Sequence, residues 1–338
     1  MAYATPDSNS LTLSEYAMMS NDPLVRKVTY SLLEMGNVLQ DIPLTNAQTM
    51  LANGVRFLGA NLPGVNWGKL NQEPTVVKGK PSPFQEQAYL IRNSIDVDKK
   101  LVEDRNAISD PRGQQIEAYL RAVTYEINTQ FINNNHVTGN SDCFTGLRYR
   151  LDNPTTYGVE SEMKIDAGAV VMTTSMTAAS ANTFIETVDQ TLDYMGSPDG
   201  SGVVLYMNDL LKRRFARAIR VLGAAAGFTT QRDAFDRQVE MYRGAVIRDI
   251  GRKADQSTRI ITNTEDSAGV DGSSNYTSMY AVKYGEGYFT GWQFEPLVPR
   301  DLGLLDNGVI YRTVFDWAFG LYMEHTRAVA RVFGIKVS

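Results

Sequence analysis

The chain has 338 residues, of which 43% are hydrophobic and 10% aromatic, an ordinary composition for a folded protein with two or so subdomains. It contains 33 lysines and arginines against 38 aspartates and glutamates, which gives a formal net charge of −5. This balance argues against a surface dedicated to wrapping DNA or binding RNA, so any contact with nucleic acid should be weak and non-specific.

Residue types that carry chemistry are scarce in this sequence. The single cysteine, Cys143, excludes an intrachain disulfide, and the two histidines, His136 and His325, leave few ligands for a zinc site or a catalytic triad. The N-terminus lacks the basic and apolar regions of a signal peptide, and no run of about 18 apolar residues predicts a membrane span. We therefore expect a protein that is made in a reducing cytosol, binds no metal or cofactor and is not an enzyme.

The first roughly fifty residues have the pattern of an arm with helical pieces. Apolar spacing predicts short helices over 11–21 and 23–39, with breaks at Asp22-Pro23 and Gly36-Asn37. Neither segment has enough apolar residues to close a core by itself.

A long hairpin is predicted over residues 56–104. From Tyr89 to Leu101 apolar and polar residues alternate with the two-residue period of a strand. At about 3.3 Å per residue, a strand of roughly a dozen residues reaches about 40 Å, nearly the width of a small domain. A segment rich in glycine, proline and asparagine and a turn at 79–83 precede it. Since such an arm has no core of its own, we expect it to lie on another copy of the same chain.

The clearest helix follows this hairpin. Asp110 is predicted as its N-cap and Pro111 as its first residue, and apolar residues from Ile116 to Phe131 recur at intervals of three and four. Because it ends only at three consecutive asparagines, the helix has roughly 22 residues, nearly twice the usual length.

From residue 181 onward the pattern is that of an α/β body. A helix containing Phe184 stops at Gly196, a buried strand is predicted at Val203–Met207, and Asn208 or Asp209 caps a second helix. A buried strand between two helices requires a layered arrangement. A loop is predicted at 267–275, and further strands are predicted at Gln238–Tyr242, 245–250, 259–262, 280–282, 287–291, 310–317 and 328–332.

Local strings along the chain occur in an order that is informative as a whole. They are NDPLVRKVTYSLLEMGNVLQDIPL at 21–44, LPGVNWGKLNQEP at 62–74, QAYLIRNSIDVDKKL at 87–101, FTGL at 144–147, VVLYMNDLLKRRF at 203–215, MYRGAVI at 241–247, YAVKYGEGYFTGW at 280–292 and YRTVFDWAFGLYMEHTRAVARVFGI at 311–335. In this order they resemble the N-arm, E-loop, F-x-G-L segment and later strands of the major capsid proteins of tailed bacteriophages, whose fold is shared with herpesvirus capsid floors and bacterial encapsulins. No single string is specific, and the resemblance depends on their collinearity over nearly the whole chain.

The resemblance implies an α+β fold of the phage major-capsid type. Its expected parts are an N-terminal arm at 1–52, an extended β-hairpin (the E-loop) at 53–104, a peripheral domain at 105–168 plus 291–338 with a spine helix at 111–134, and an α/β axial domain at 169–290. The implied function is that of a structural protein of the virion, assembled in the bacterial host cytoplasm. Copies would self-assemble as hexamers and pentamers into an icosahedral shell around double-stranded DNA.

The resemblance also implies partners. Because Met1 lies only a few tens of residues ahead of the apparent arm, a separate scaffolding protein is expected, and a portal and a decoration protein are further candidates. Two alternatives stay open: an encapsulin-like compartment that holds a cargo enzyme, and a soluble α/β enzyme. The enzyme requires a convergent cluster of titratable groups, which a sequence with two histidines does not supply.

Candidate contact residues lie on the predicted hairpin. In some relatives a lysine of this loop is joined to an asparagine of a neighbouring subunit by an isopeptide bond. The lysines of the predicted hairpin in this sequence are Lys69, Lys78, Lys80, Lys99 and Lys100. That chemistry needs a desolvated amine beside a buried carboxylate, so solvated or ion-paired lysines are the more common arrangement. The hairpin candidates for assembly are Trp67, Lys69, Lys78, Lys80, Tyr89, Arg92, Asp96 and Asp98.

A second candidate surface is basic and lies on the second helix of the α/β body. Its residues are predicted, in order of preference, to form a solvated face, to meet an acidic face of a neighbouring subunit or to touch packaged DNA. They are Lys212, Arg213, Arg214, Arg217 and Arg220.

The remaining groups have structural interpretations. Acidic residues on the first helix of the α/β body have the spacing of a polar helix side, and the GEG at 285–287 is too short to cradle a phosphate. Cys143 is predicted to be a packed side chain. The acidic residues of that helix are Glu186, Asp189 and Asp193. We expect three aromatic residues, Trp292, Tyr311 and Trp317, to lie in the core.

Overall fold

The computed structural model describes residues 37–56, 62–103, 110–223, 228–232, 238–272, 274–294, 297–306 and 308–338. The helix predicted over 11–21 and most of the helix predicted over 23–39 lie outside the described residues. The described chain opens with helix α1 (Asn37–Asp41), in which Val38 and Leu39 are buried. The Asp41 carboxylate accepts hydrogen bonds from Tyr206 Oη (3.0 Å) and Arg248 Nη2 (2.9 Å), so this helix is held against the body.

The other elements follow in chain order. The first half of the chain contains β1 (Leu44–Asn46), β2 (Leu51–Arg56), β3 (Ser82–Gln87), β4 (Tyr89–Asp98), α2 (Lys99–Glu103), α3 (Pro111–Asn133), α4 (Leu147–Asp152), α5 (Pro154–Tyr157), a 3-10 turn at Ser161–Met163 and β5 (Lys164–Asp166). The second half contains α6 (Ala178–Tyr194), β6 (Val203–Met207), α7 (Asp209–Leu222), β7 (Phe228–Arg232), β8 (Gln238–Tyr242), β9 (Ala245–Asp249), β10 (Tyr276–Lys283), β11 (Phe289–Gln293), β12 (Val298–Leu304), β13 (Ile310–Met323) and β14 (Val329–Lys336).

The predicted long hairpin consists of two separate features. The first is a short antiparallel pair, β2 and β3, in which Leu51 is opposite Gln87 and Arg56 is opposite Ser82. Residues 62–81, between the two strands, contain neither helix nor strand. Among the described residues, this loop is the part of the hairpin that extends beyond the paired strands.

The second feature is β4, which belongs to another sheet. Its ten residues pair antiparallel with β13, from Tyr89 opposite Phe319 to Asp98 opposite Ile310. The prediction of an arm strand that continues to Leu101 is therefore wrong. The alternation that suggested a free arm arises because one side of β4 packs on the body, and the strand ends where α2 begins.

Helix α3 is the predicted spine helix, and its sequence signals are confirmed. It has 23 residues and begins at Pro111, and the carboxylate of Asp110 accepts a hydrogen bond from the backbone N–H of Arg112 at 3.0 Å. The buried residues of the helix recur every three or four positions, among them Leu120, Ile127 and Phe131, so one stripe faces the core.

The FTGL segment closes the other end of the spine helix. The Gly146 N–H donates to the Asn134 carbonyl at 2.9 Å. A Cβ on Gly146 would lie only 2.7 Å from the Gln130 carbonyl oxygen, so no larger residue fits without a shift. The motif therefore docks helix α4 directly against the spine helix.

One of the two larger sheets lies next to the spine helix. Its order is β1-β11-β13-β12, and β4 also pairs with β13. Tyr119 of the spine helix packs on Phe315 with ring centroids 4.6 Å apart, and buried Trp317 donates from Nε1 to Gln293 at 3.1 Å. Trp317 and Trp292 are buried as predicted, whereas Tyr311 is only half-buried.

The other large sheet has seven strands in the order β5-β14-β10-β6-β9-β8-β7. All five residues of β6 are buried, as predicted for a strand between helices. Helices α6 and α7 pack together through Phe184 and Phe215, whose centroids are 5.5 Å apart. Strand β14 pairs with β10 and β5 in this sheet, so the expected grouping of 291–338 with the spine helix does not hold for the last strand.

Two kinds of strand prediction failed. The apolar run at 259–262 is buried at Ile260 and Ile261 but forms only an isolated bridge between Arg259 and Arg252. Conversely, β7 and β12 were not predicted, since β7 is largely polar and β12 contains Pro299. Among the described residues, none of the helices combines the length and apolar character that a bilayer crossing requires.

Candidate assembly surfaces

The most exposed apolar side chains of the described chain lie in residues 62–81, which we call the projecting loop. Trp67 is 96% exposed, Leu70 97% and Val76 95%. Folded proteins rarely hold large apolar side chains in water without a partner, and such groups mark interaction sites. The predicted contact residues Trp67, Lys69, Lys78 and Lys80 all lie on this loop and are exposed.

The hairpin beneath the loop has two different faces. The outward residues of β2 include Leu51, which is 46% exposed, and Val55, which is 58% exposed. The inward face packs on the body, where the Phe84 ring lies 5.3 Å from the Tyr322 ring of β13. A Cβ on Gly54 would lie 2.4 Å from both of these side chains, so the glycine permits the close approach.

The predicted contact residues on β4 have partners within the same subunit. Arg92 pairs with Asp316 at 2.8 Å, and Asp96 pairs with Arg312 at 2.6 Å. The hydrogen bond from Arg312 lowers the pKa of Asp96. These four charges form cross-strand ladders between β4 and β13, an arrangement that supports strand pairing.

Tyr89 and Asp98 also have local roles. The Tyr89 hydroxyl lies 3.4 Å from His136 Nδ1 and is half-buried, and the Asp98 carboxylate accepts the backbone N–H of Lys100 at 2.7 Å, capping α2. The structure thus does not bring the β4 residues into one cluster with the loop, and their part in assembly stays a prediction.

The lysines of the projecting loop lack the surroundings that isopeptide formation requires. Lys69, Lys78 and Lys80 are exposed in the isolated subunit, and Lys99 pairs with Glu103 at 3.6 Å. Since the reaction needs a deprotonated amine beside a buried carboxylate, we expect assembled shells boiled in denaturant to run as one band at the mass of a single chain. A ladder of covalent multimers on the gel would contradict this expectation.

The basic residues of α7 are partly neutralised within the subunit. Lys212 pairs with Glu240 at 3.4 Å and Arg213 with Asp209 at 3.6 Å. The Asp209 carboxylate also accepts a hydrogen bond from Arg259, and this bond lowers the pKa of Asp209. Arg220 Nε donates to the Ala216 carbonyl at 3.2 Å.

Within the described residues, three members of this cluster form no ion pair. They are Arg214, Arg217 and Arg220. The helix therefore presents a modest basic surface, and its partner stays a prediction.

The other candidate groups take structural positions. Asp189 accepts a hydrogen bond from Tyr242 Oη at 2.9 Å and pairs with Arg243 at 3.0 Å, while Glu186 and Asp193 are exposed. Burial raises the pKa of the Cys143 thiol to about 12, which disfavours the reactive thiolate. Across the described ranges, no three His, Cys, Asp or Glu side chains come together as metal ligands.

Sequence reasoning missed the residues that hold the hairpin to the body. Arg150 of α4 is 1% exposed and forms a bidentate pair with Glu86 of β3, at 2.5 and 2.9 Å. Arg56 of β2 is 7% exposed and lies over the Phe84 ring at 4.3 Å. The one signal available was the position of Arg150 three residues after the FTGL motif.

Comparisons with known proteins agree with this architecture. The model of a family described as major capsid protein GP7 matches residues 21–177, a little under half of the chain. No curated protein sequence matches the chain.

Solved structures share the fold over nearly the whole length. The encapsulin SrpI of Synechococcus elongatus PCC 7942 is 12% identical with a TM-score of 0.59, covering 95% of this chain and 94% of that one. The capsid of Myoviridae phage XM1 is 12% identical with a TM-score of 0.51, covering 88% and 91%. Microbacterium phage Oxtober96 is 11% identical with a TM-score of 0.52, covering 90% and 91%.

These structural likenesses establish the fold, and the family match adds a likeness in sequence to the capsid proteins themselves. Together they agree with the resemblance seen in the sequence: the chain has the fold of tailed-phage capsid proteins and encapsulins, and its residues 21–177 match the major capsid protein GP7 family.

Proposed function

We propose that copies of this protein assemble as hexamers and pentamers into a closed icosahedral shell that encloses the double-stranded DNA of a tailed phage. The observation that carries the proposal is the projecting loop, which holds Trp67, Leu70 and Val76 almost fully in water on a chain with a capsid fold. A neighbouring copy that covers such side chains gains about 1.5–3 kcal/mol for each one. The loop is thus suited to act as a clasp between subunits.

Several weak contacts are sufficient for such a shell. Each copy would use the loop, the outer face of β2 and β3 and the segment ahead of α1 on different neighbours. Once one contact forms, the others become intramolecular, and their sum stabilises a closed assembly. A scaffolding protein, a portal and a decoration protein are proposed as further partners on the strength of the family resemblance alone.

Contact with the enclosed DNA would be weak. The net charge of −5 repels phosphate, and two of the five basic residues on α7 pair with Glu240 and Asp209 of the same subunit. A wall that holds DNA loosely suits a container that is filled and later emptied.

An encapsulin-like compartment is the second candidate, because the encapsulin SrpI shares the fold with a TM-score of 0.59. The match of residues 21–177 to the capsid-protein family favours the phage shell. The contents of the particle distinguish the two functions.

We expect particles isolated from the natural host to retain DNA after nuclease treatment and to release it only when opened. The measurement is agarose electrophoresis of the contents together with mass spectrometry of every protein present. Free DNA that is added to a preparation of empty capsids and treated with the same nuclease controls for incomplete digestion. A cargo protein with no protected DNA would contradict the phage function and support the compartment.

A further inference from the structure

We propose that the projecting loop is aimed before assembly by a latch of two buried arginines, Arg56 and Arg150, that fixes the hairpin to the body. The hairpin latch comprises Arg56, Phe84 and Glu86 on the hairpin and Arg150 and Gly158 on the body. The inference rests on the proposed function, since it concerns how a shell subunit directs its clasp.

The hairpin is built to present one face to the body. Exposure alternates along β3, with Ser82, Phe84 and Glu86 half-buried and the residues between them exposed. Because opposite residues of an antiparallel pair share a face, Gly54 and Arg56 of β2 lie on the same side as Phe84 and Ser82. The latch residues of the hairpin thus all belong to the inner face.

The first fastening is the pair between Arg150 and Glu86. Both terminal nitrogens of the guanidinium reach the carboxylate, while its Nε donates to the Thr145 carbonyl at 3.0 Å. The Tyr157 ring lies 5.5 Å from the guanidinium on another side. A bidentate pair of this kind fixes orientation as well as distance, because both hydrogen bonds must align at once.

The second fastening is a slot for Arg56. Its guanidinium lies over the Phe84 ring, and Nη1 donates to the Met323 carbonyl at 3.4 Å. Gly158 forms the far wall: its φ is +60°, and a Cβ there would lie 2.3 Å from Arg56 Nε. Any side chain at Gly158 would therefore be strained and would also collide with the arginine.

The two fastenings lie at different points along the hairpin and together define its direction. Glu86 is opposite Ala52, whereas Arg56 lies four residues further along β2, about 13 Å at 3.3 Å per residue. Two fixed points on a short ribbon prevent it from pivoting, so the end of the hairpin that carries the projecting loop points in one direction.

The latch also connects the hairpin to the spine helix. Arg150 lies on α4, and the Arg150 N–H donates to the carbonyl of Gly146, which packs on the end of the spine helix. The direction of the projecting loop is therefore fixed relative to the spine helix, the longest helix among the described residues. Shell curvature would then be set by the subunit itself and not by whichever neighbour the loop first meets.

Hydrogen exchange of the unassembled subunit tests the latch directly. Glu86→Gln keeps the shape of the side chain but removes the charge, and we expect the amides of 82–87 to exchange at least tenfold faster while those of the seven-stranded sheet keep their protection. The matched control is Asp271→Asn, because Asp271 pairs with Arg148, the neighbouring arginine of α4, at 2.8 Å without touching the hairpin. Arg56→Met, a change on the other strand, should reproduce the effect of Glu86→Gln. Unchanged exchange at 82–87 in both latch variants would overturn the proposal.

Assembly supplies the second readout. Wild-type and Asp271→Asn proteins should give shells of one diameter by electron microscopy, and Glu86→Gln and Arg56→Met should give a broad mixture of diameters and open sheets. Latch variants that exchange quickly yet form shells of one normal diameter would also overturn the proposal. If the wild-type chain forms no shell, the proposed function fails, and the exchange experiment alone decides whether the latch holds the hairpin.

Discussion

Replacing Trp67 and Leu70 by aspartate is expected to abolish shell formation and leave a folded subunit. The two side chains are 96% and 97% exposed, so the free energy of unfolding of the isolated subunit should change by less than about 0.5 kcal/mol. At an interface, by contrast, each change forfeits about 1.5–3 kcal/mol of apolar burial and places a charge in the contact. Size-exclusion chromatography and circular dichroism of the double variant measure both effects.

A matched control tests whether the location of the apolar residue matters. Val137 is also an exposed apolar residue, at 68%, but it follows the spine helix and is not part of the projecting loop. Val137→Asp should assemble normally. Normal shells from the Trp67→Asp/Leu70→Asp protein, or equal loss of assembly in the Val137→Asp protein, would show that the projecting loop does not join neighbouring subunits.

Deleting the outer hairpin should give the same result as the double substitution. A deletion that ran as far as Pro83 would also damage the hairpin, because Ser82 and Pro83 are paired residues of β3. A deletion of 64–80 leaves both strands intact and separates loss of the loop from loss of the hairpin. A soluble, folded subunit that cannot make regular shells is expected from it.

Replacing Arg331 by alanine is expected to lower the free energy of unfolding by about 3–5 kcal/mol, the range for removing one partner of a buried ion pair. The Arg331 side chain is fully buried and pairs with Glu265 at 3.3 Å and with Asp152 at 3.2 Å. It also donates to Ser278 Oγ at 3.1 Å and to the Gly269 carbonyl at 2.5 Å. These bonds tie β14 and β10 to α4 and to the loop at 265–271.

The loss in the free energy of unfolding arises because the substitution leaves the buried Glu265 carboxyl without its arginine partner. Glu265 is 2% exposed, and burial already raises the pKa of that carboxyl even with the arginine present. Without Arg331 the carboxyl would have to bind a proton or admit water. Urea denaturation in the assembly-defective Trp67→Asp/Leu70→Asp background measures the loss on a monomer.

A second arginine on the same stretch of chain serves as the control. Arg327 pairs with Glu162 at 3.5 Å, with 42% and 59% of the two side chains exposed. Arg327→Ala should change the free energy of unfolding by less than about 1 kcal/mol, as for other surface pairs. Equal losses for the two variants would show that burial of the network around Arg331 is not what stabilises the sheet.

The sequence predicted the local elements that carry their own signals. Asp110 and Pro111 mark the start of the spine helix because capping and proline geometry act over a few residues, and β6 is recognisable because every residue in it is apolar. The order of the strings then indicated the family. Each of these inferences needs only residues that are neighbours in the sequence.

What the sequence could not give is the choice of distant partners. Strand β4 has the same alternation whether it pairs within a hairpin or with β13, more than two hundred residues away, and the wrong choice made the arm too long. The latch pair joins residues 64 apart, and nothing near Glu86 marks it as the partner of Arg150. The position of the projecting loop depends on these distant pairings. The sequence therefore predicted an extended segment there but not which of its side chains would be exposed.

Electron microscopy of the purified full-length chain, supported by analytical ultracentrifugation, tests the central claim most directly. The account predicts closed icosahedral shells, or rings of five and six subunits, with the projecting loop of each copy covered by its neighbour. A protein that remains a monomer across protein concentration, salt and crowding conditions would contradict it, because the apolar loop would then have no partner of its own kind.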